Sequence, residues 1–165
     1  MTDNRSVTAV KQISLAEIEP VLQELLASGG SIKLTVTGTS NYPTMVGGRD
    51  QITLEQARGV LKKYDLPLYR RANGQYVLHR IVSVQKDGSF TCCGDNQWKT
   101  ESGIRSEQVI GCVVRICRNG REFSVQSKRY RLWVRVWVLL LPCRSFLIRA
   151  FHAAERIAGR SAGKT

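Results

Sequence analysis

Ser31-Ile32-Lys33-Leu34-Thr35-Val36-Thr37-Gly38-Thr39-Ser40-Asn41-Tyr42-Pro43 decides how this chain is read. In its first half Ile32, Leu34 and Val36 alternate with Lys33, Thr35 and Thr37, the period-two pattern of a half-buried strand. Its second half is rich in glycine, serine, asparagine and proline, the residues of a turn. A strand running into such a turn bares the side chain at the corner and leaves nearby backbone N–H groups unpaired. Ser40 stands at that corner. Taken alone, Ser-Asn-x-Pro reads most simply as a turn, because a serine hydroxyl is a poor nucleophile without a base for its proton and donors for the oxyanion.

Upstream, residues 15–28 (SLAEIEPVLQELLA with its flanking serine) predict a helix with Ile18, Val21, Leu22, Leu25 and Leu26 on one face. Ser14 is its N-cap and Gly29-Gly30 its end. Downstream, strands are expected at Gln51–Leu54, Leu66–Arg70, Tyr76–Val84, Phe90–Cys93 and Val109–Cys117. Lys86-Asp87-Gly88-Ser89 is a hairpin turn, and Arg118-Asn119-Gly120-Arg121 is a second one leading into Glu122–Val125. Glu55–Lys63 reads equally as a helical turn or a long connection. The expected architecture is mainly β, in three parts: a helical lead-in over 1–30, a β-rich domain over 31–127 and a basic amphipathic helical segment over 128–165.

Of the 165 residues, 42% are apolar and 23% charged, enough for a core and too apolar for wholesale disorder. The net charge of +12 is uneven. From Arg115 onward 12 Lys/Arg face only Glu122 and Glu155, whereas the first 114 residues are nearly neutral. Such a tail suits nucleic acid, an anionic membrane or an acidic partner. Five cysteines (Cys92, Cys93, Cys112, Cys117, Cys143) form no C-x-x-C and read as reduced thiols. With only His79 and His152 beside them, no zinc-finger spacing exists, and neither metal nor cofactor is expected.

Met1 to Glu19 holds no apolar core of an export signal or anchor. Leu132 to Phe151 is long enough to span a bilayer, but Arg135, Arg144, Arg149 and Pro142 interrupt it. At roughly 2.5–3.5 kcal/mol per arginine at the centre, a simple spanning helix is not expected. Lys128, Arg131, Arg135, Arg149, His152, Arg156 and Arg160 fall near one helical stripe, with Trp133, Val134, Trp137, Leu140, Leu141, Leu147, Ile148 and Phe151 elsewhere and Arg144 off the pattern. The pattern predicts an interfacial helix over 128–160 that holds the protein peripherally on a membrane of unspecified side, in an otherwise cytoplasmic protein. The alternative is an amphipathic helix folded on its own domain. Nucleic acid is not the favoured partner.

The candidate chemistry is spread along the chain. His79 lies in the apolar run Tyr76–Val82 and by itself reads as structural, yet it is the only histidine before the tail, and an imidazole is what a serine needs at neutral pH. Asp95 in Cys93-Gly94-Asp95-Asn96 reads as a turn aspartate. Glu101 reads as a surface carboxylate.

Order and context change these readings. Gly38-Thr39-Ser40-Asn41-Tyr42-Pro43-Thr44-Met45 resembles the nucleophile box of signal peptidases, G-x-S-M-x-P-T plus an aliphatic residue. Gly48-Arg49-Asp50-Gln51-Ile52 is similar to the G-D-x-V step that follows, and Lys63-Tyr64-Asp65-Leu66-Pro67-Leu68-Tyr69 to the next strand entry. Leu78-His79-Arg80-Ile81-Val82 matches the H-R-V-V box of the branch that uses histidine in place of lysine. Phe90-Thr91-Cys92-Cys93-Gly94-Asp95-Asn96 matches F-x-x-K-G-D-N, and Val109-Ile110-Gly111-Cys112-Val113 the closing V-I-G-x-V strand. The resemblance covers roughly residues 32–117.

It implies a β-barrel-like catalytic domain of the kind shared by signal peptidases and self-cleaving repressors. It also implies a serine endopeptidase that processes a precursor or leader peptide bound as an added strand. Ser40 would be the nucleophile and His79 its base. Glu101 is the closer positional match, and Asp95 the closer residue match, for the group that orients the imidazole. The oxyanion would meet the Ser40 N–H, with Thr39 or Thr37 assisting. Asn41 stands where the family has methionine, Glu101 stands where it has aspartate, and the N-terminal anchor is missing. Self-cleaving repressors use a lysine base and carry a DNA-binding domain, for which fewer than 40 residues before Ser40 leave no room. The other alternative is a non-catalytic β-rich module that binds membrane or nucleic acid through the basic tail.

Overall fold

The computed structural model describes residues 14–149, apart from 58 and 147. Ser14, extended at φ −66° and ψ 138°, accepts from the Ala16 N–H and starts α1 (Leu15–Ala27). Gly29, at φ +86°, turns the chain out of the helix, a conformation that costs glycine nothing. Only Leu22 and Leu26 of the expected apolar face are buried; Val21 and Leu25 are exposed. The helix presents a narrow i, i+4 seam to the sheet beneath it.

That sheet contains β1 (Ser31–Thr35), β2 (Gln51–Glu55), β8 (Val109–Arg118), β3 (Pro67–Arg70) and β4 (Tyr76–Leu78), antiparallel in this spatial order. β9 (Arg121–Ser124) returns along the far part of β8. A second, three-stranded sheet is made by β5 (Arg80–Val84), β6 (Phe90–Cys93) and β7 (Glu101–Ile104).

Two strand expectations need correction. The run Tyr76–Val84 is not one strand: it breaks at His79, so β4 belongs to the large sheet and β5 to the small one. β7 had no period-two signal, since Glu101-Ser102-Gly103-Ile104 carries a single bulky apolar residue. The domain is also not a closed barrel. With β5 leaving at His79, no strand among the described residues pairs β4 to β1, and both are edges of the sheet. The undecided stretch after Glu55 is a connection, pinned where the Lys62 N–H donates to the Asp65 carboxylate at 2.8 Å.

One core lies between α1 and the large sheet, around Leu22, Leu26, Leu54, Met45 and Ile116. Another joins the two sheets through Tyr69, Ile81, Phe90 and Cys92. A third lies under α2 (Lys128–Leu139), where Val134 and Val138 pack on Val82 of β5 and Cys93 of β6. The helix ends before Pro142, in the 3-10 turn Leu141–Cys143. Arg144, off the basic stripe in the sequence, is fully buried. Its guanidinium donates to the carbonyls of Trp137 (2.6 Å), Gln97 (3.2 Å) and Gly94 (3.3 Å) and lies over the Trp137 ring. The stripe residues His152, Arg156 and Arg160, with Leu147 and Phe151, lie outside the described residues. All five cysteines are free thiols; Cys92 and Cys93 are buried, Cys143 is exposed.

Candidate active site

The site is assembled from three loops. The first carries Ser40. Its ends are joined where the Val36 N–H donates to Asp50 O (2.9 Å) and the Gly48 N–H to Val36 O (2.8 Å). A Cβ on Gly47 would fall 2.1 Å from the Gly38 carbonyl oxygen, so this close return of the loop needs glycine. Asp50 is buried, and its carboxylate is held below its ordinary pKa: burial pushes it up, but bonds from Arg49 and the Val46 N–H outweigh this.

The second loop, 94–97, clamps the first. The Asn96 N–H donates to Ser40 O (2.8 Å) and the Asn96 side chain to Thr39 O (3.1 Å). Gly94 sits where a Cβ would be 2.6 Å from Ser40 O and 3.1 Å from His79 Nε2. That approach puts the Ser40 loop and the imidazole against one backbone atom. Gly94→Ala is therefore expected to push the Ser40 loop away from the imidazole and to lower the urea midpoint, measured by chemical denaturation beside wild type.

The third element is the break at His79. The imidazole is 5% exposed and meets Tyr69 edge-on at a centroid distance of 6.4 Å. Burial, and then the Arg71 guanidinium, push its pKa down to about 4, against the opposing charges of Glu101 and Asp95. At neutral pH the ring is uncharged and able to accept a proton. Its Nδ1 is buried with no hydrogen-bond partner.

Ser40 and His79 line the same cleft, of about 300 Å³. Leu34, Thr35, Val36 and Thr37 flank it on the β1 side, and Tyr76, Val77 and Leu78 on the β4 side, so the two free edges of the large sheet border it. Thr37 and Arg71 also reach it. Among the described residues no hydrogen bond joins the Ser40 hydroxyl to the imidazole, and the N–H groups of Thr39 and Ser40 make none either. A larger cavity, about 800 Å³, opens between residues 55–66 and α2, but it contains neither Ser40 nor His79. The candidate residues Ser40 and His79 thus lie in the smaller cleft.

The two candidate carboxylates are otherwise engaged. Glu101, at the start of β7, takes three bonds from Arg71 (Nε at 2.8 and 3.0 Å, Nη2 at 2.7 Å) and one from the Tyr69 hydroxyl (2.9 Å). Burial raises its pKa, but these bonds hold it net below its ordinary value. Asp95, fully buried, takes Arg80 Nε at 2.9 Å and Nη2 at 2.7 Å, and the Thr44 hydroxyl at 2.5 Å. Neither hydrogen-bonds to His79; each acts on it through space.

No family model, curated protein or solved structure matches the chain. The functional reading therefore rests on the cleft. Sequence reasoning missed Asn96, Arg71 and Arg144 as site-shaping residues. Asn96 alone had a signal, as the last residue of the Gly94-Asp95-Asn96 box.

Proposed function

We propose that this protein is a serine endopeptidase that cleaves a precursor or leader peptide lying in the cleft between β1 and β4. One observation carries the reading: a serine on a tightly held turn and a buried, uncharged histidine, 39 positions apart in sequence, line a single cleft. These are the two residues that the resemblance to the serine–histidine signal peptidases singles out. The peptide would add to a free sheet edge, backbone to backbone, with its side chains alternating into and out of the cleft.

Ser40 Oγ attacks the scissile carbonyl carbon while His79 Nε2 takes the hydroxyl proton. The carbonyl oxygen becomes the oxyanion and is met by the Ser40 and Thr39 N–H groups, with Thr37 beside them in the cleft. The imidazolium then protonates the leaving amine as the C–N bond breaks, leaving an acyl-serine. Water, deprotonated by the same imidazole, attacks that ester and frees the carboxylate product and the Ser40 hydroxyl. Glu101, fixed by Arg71 and Tyr69, lends negative charge as His79 becomes positive. Asp95 acts at one remove, anchoring Arg80 and Thr44 beneath the loops. Mass spectrometry of an extended precursor peptide incubated with wild type and Ser40→Ala tests the reading; cleavage that survives in Ser40→Ala rejects it.

The same enzyme is proposed to work at an anionic membrane surface. α2 packs on its own domain through Val134 and Val138, yet Leu132, Val136 and Leu139 form an exposed second stripe, with Phe146 exposed beyond it. Lys128, Arg129, Arg131 and Arg135 are exposed alongside. An apolar stripe edged by cations matches the layering of a lipid interface. Among the described residues no helix is long and apolar enough to cross a membrane. Replacing both Leu132 and Leu139 by Glu is expected to weaken co-sedimentation with phosphatidylserine vesicles about 100-fold while leaving cleavage in free solution intact. Unchanged sedimentation would remove α2 as the docking face.

A further inference from the structure

Two buried side-chain atoms on this cleft have no hydrogen-bond partner: Nδ1 of His79 and Oδ1 of Asn41. They are chemically complementary. Oδ1 is an acceptor, and Nδ1 is a donor in the tautomer that leaves Nε2 free to accept the serine proton. Asn41 is 3% exposed, and its Nδ2 donates to Leu78 O at 2.7 Å. That bond settles which end of the carboxamide is oxygen, because a carbonyl accepts only from the NH2 end. It also ties the side chain to the backbone of the residue immediately before His79. The nearby carboxylates are committed elsewhere, Glu101 to Arg71 and Tyr69, Asp95 to Arg80 and Thr44.

We propose that Asn41, next in sequence to the nucleophile, is the positioning residue of His79: its Oδ1 accepts the Nδ1 proton and so presents Nε2 as the basic nitrogen toward Ser40. This deepens the peptidase reading and rests on it. Pairing these two atoms, whose residues line one cleft, would remove both buried desolvation penalties at once while leaving the Asn41–Leu78 bond in place. The resulting set, hydroxyl–imidazole–carboxamide, orients the base with a neutral group. The carboxylate of Glu101 contributes charge from a distance rather than a hydrogen bond. One residue, Asn41, then links the nucleophile turn and the base through the chain on one side and through its side chain on the other.

The test is ¹⁵N NMR of histidine-labelled full-length protein, with the His79 signals assigned by their loss in His79→Gln. Wild type is expected to show the Nδ1–H tautomer. Asn41→Asp should raise the His79 titration midpoint by about one unit, because a carboxylate at that place stabilises imidazolium, and should move the acid limb of the cleavage profile with it. Asn41→Leu should lose the tautomer preference and lower kcat/KM by about 100-fold, with Asn41→Asp recovering a large part of the loss. Glu101→Gln should leave the tautomer unchanged. An Nε2–H tautomer in wild type, or an Asn41→Asp midpoint equal to that of wild type, overturns the proposal. Should Asn41→Leu fail to fold, the Asn41→Asp titration alone decides. If the spectra behave as expected but Ser40→Ala does not affect peptide cleavage, the pairing stands and the peptidase reading fails.

Discussion

Ser40→Ala and His79→Ala are each expected to lower kcat/KM for the cleaved precursor by about 10⁴-fold, and the double variant by no more than either alone. In the proposed mechanism the two side chains act in one proton transfer, so removing either forfeits the whole step. Ser40→Ala should leave the melting temperature nearly unchanged, which separates lost chemistry from lost fold. A cost that adds in the double variant would mean that the two residues do not work together.

The same imidazole predicts a pH dependence. His79 is held near pKa 4 by burial and by Arg71, below its ordinary 6.5, with Glu101 and Asp95 opposing. kcat/KM should stay flat from neutrality to about pH 5 and fall only as the pH approaches 4. Stability follows from linkage. Between pH 6.5 and 4 the unfolded chain binds a proton at His79 that the folded chain refuses, so stability falls as pH drops through this window. The loss is on the order of 3 kcal/mol. His79→Gln should remove that part of the slope, measured as the midpoint of urea unfolding against pH.

Asp95→Ala is expected to be the most destabilising single change, by about 3–5 kcal/mol in urea unfolding. Asp95 and Arg80 are both wholly buried and joined by two hydrogen bonds. Without the carboxylate, the guanidinium keeps its bonds to Tyr64 O and the Tyr130 hydroxyl but has no counter-charge. Thr44 of the Ser40 loop also loses its partner. A loss of this size is comparable with the whole stability of many domains. Replacing both members by apolar residues of similar volume, Arg80→Met with Asp95→Leu, should recover most of it, because no charge is then left buried. If Asp95→Ala unfolds within 1 kcal/mol of wild type, this ion pair is not what holds the two loops together.

The sequence by itself determined the elements whose signals are local. The alternation of Ile32, Leu34 and Val36, the helix ending at Gly29-Gly30 and the turns at Asp87-Gly88 and Asn119-Gly120 need only nearest neighbours, and the structure has each of them. The resemblance singled out Ser40, His79, Asp95 and Glu101, and the chain brings the first two to one cleft. Tertiary structure alone decided the rest. Whether Tyr76–Val84 is one strand or two depends on where β4 and β5 find partners, which no period-two pattern within the run records. Arg144 broke the amphipathic pattern because its carbonyl partners at Gly94 and Gln97 lie nearly fifty residues away. Which buried group takes which partner (Glu101 with Arg71, Asp95 with Arg80, Asn41 with Leu78) is a question of three-dimensional proximity. Hydrophobic periodicity reports which side of a strand meets the core; it carries no information about which polar atom waits on the other side of a turn.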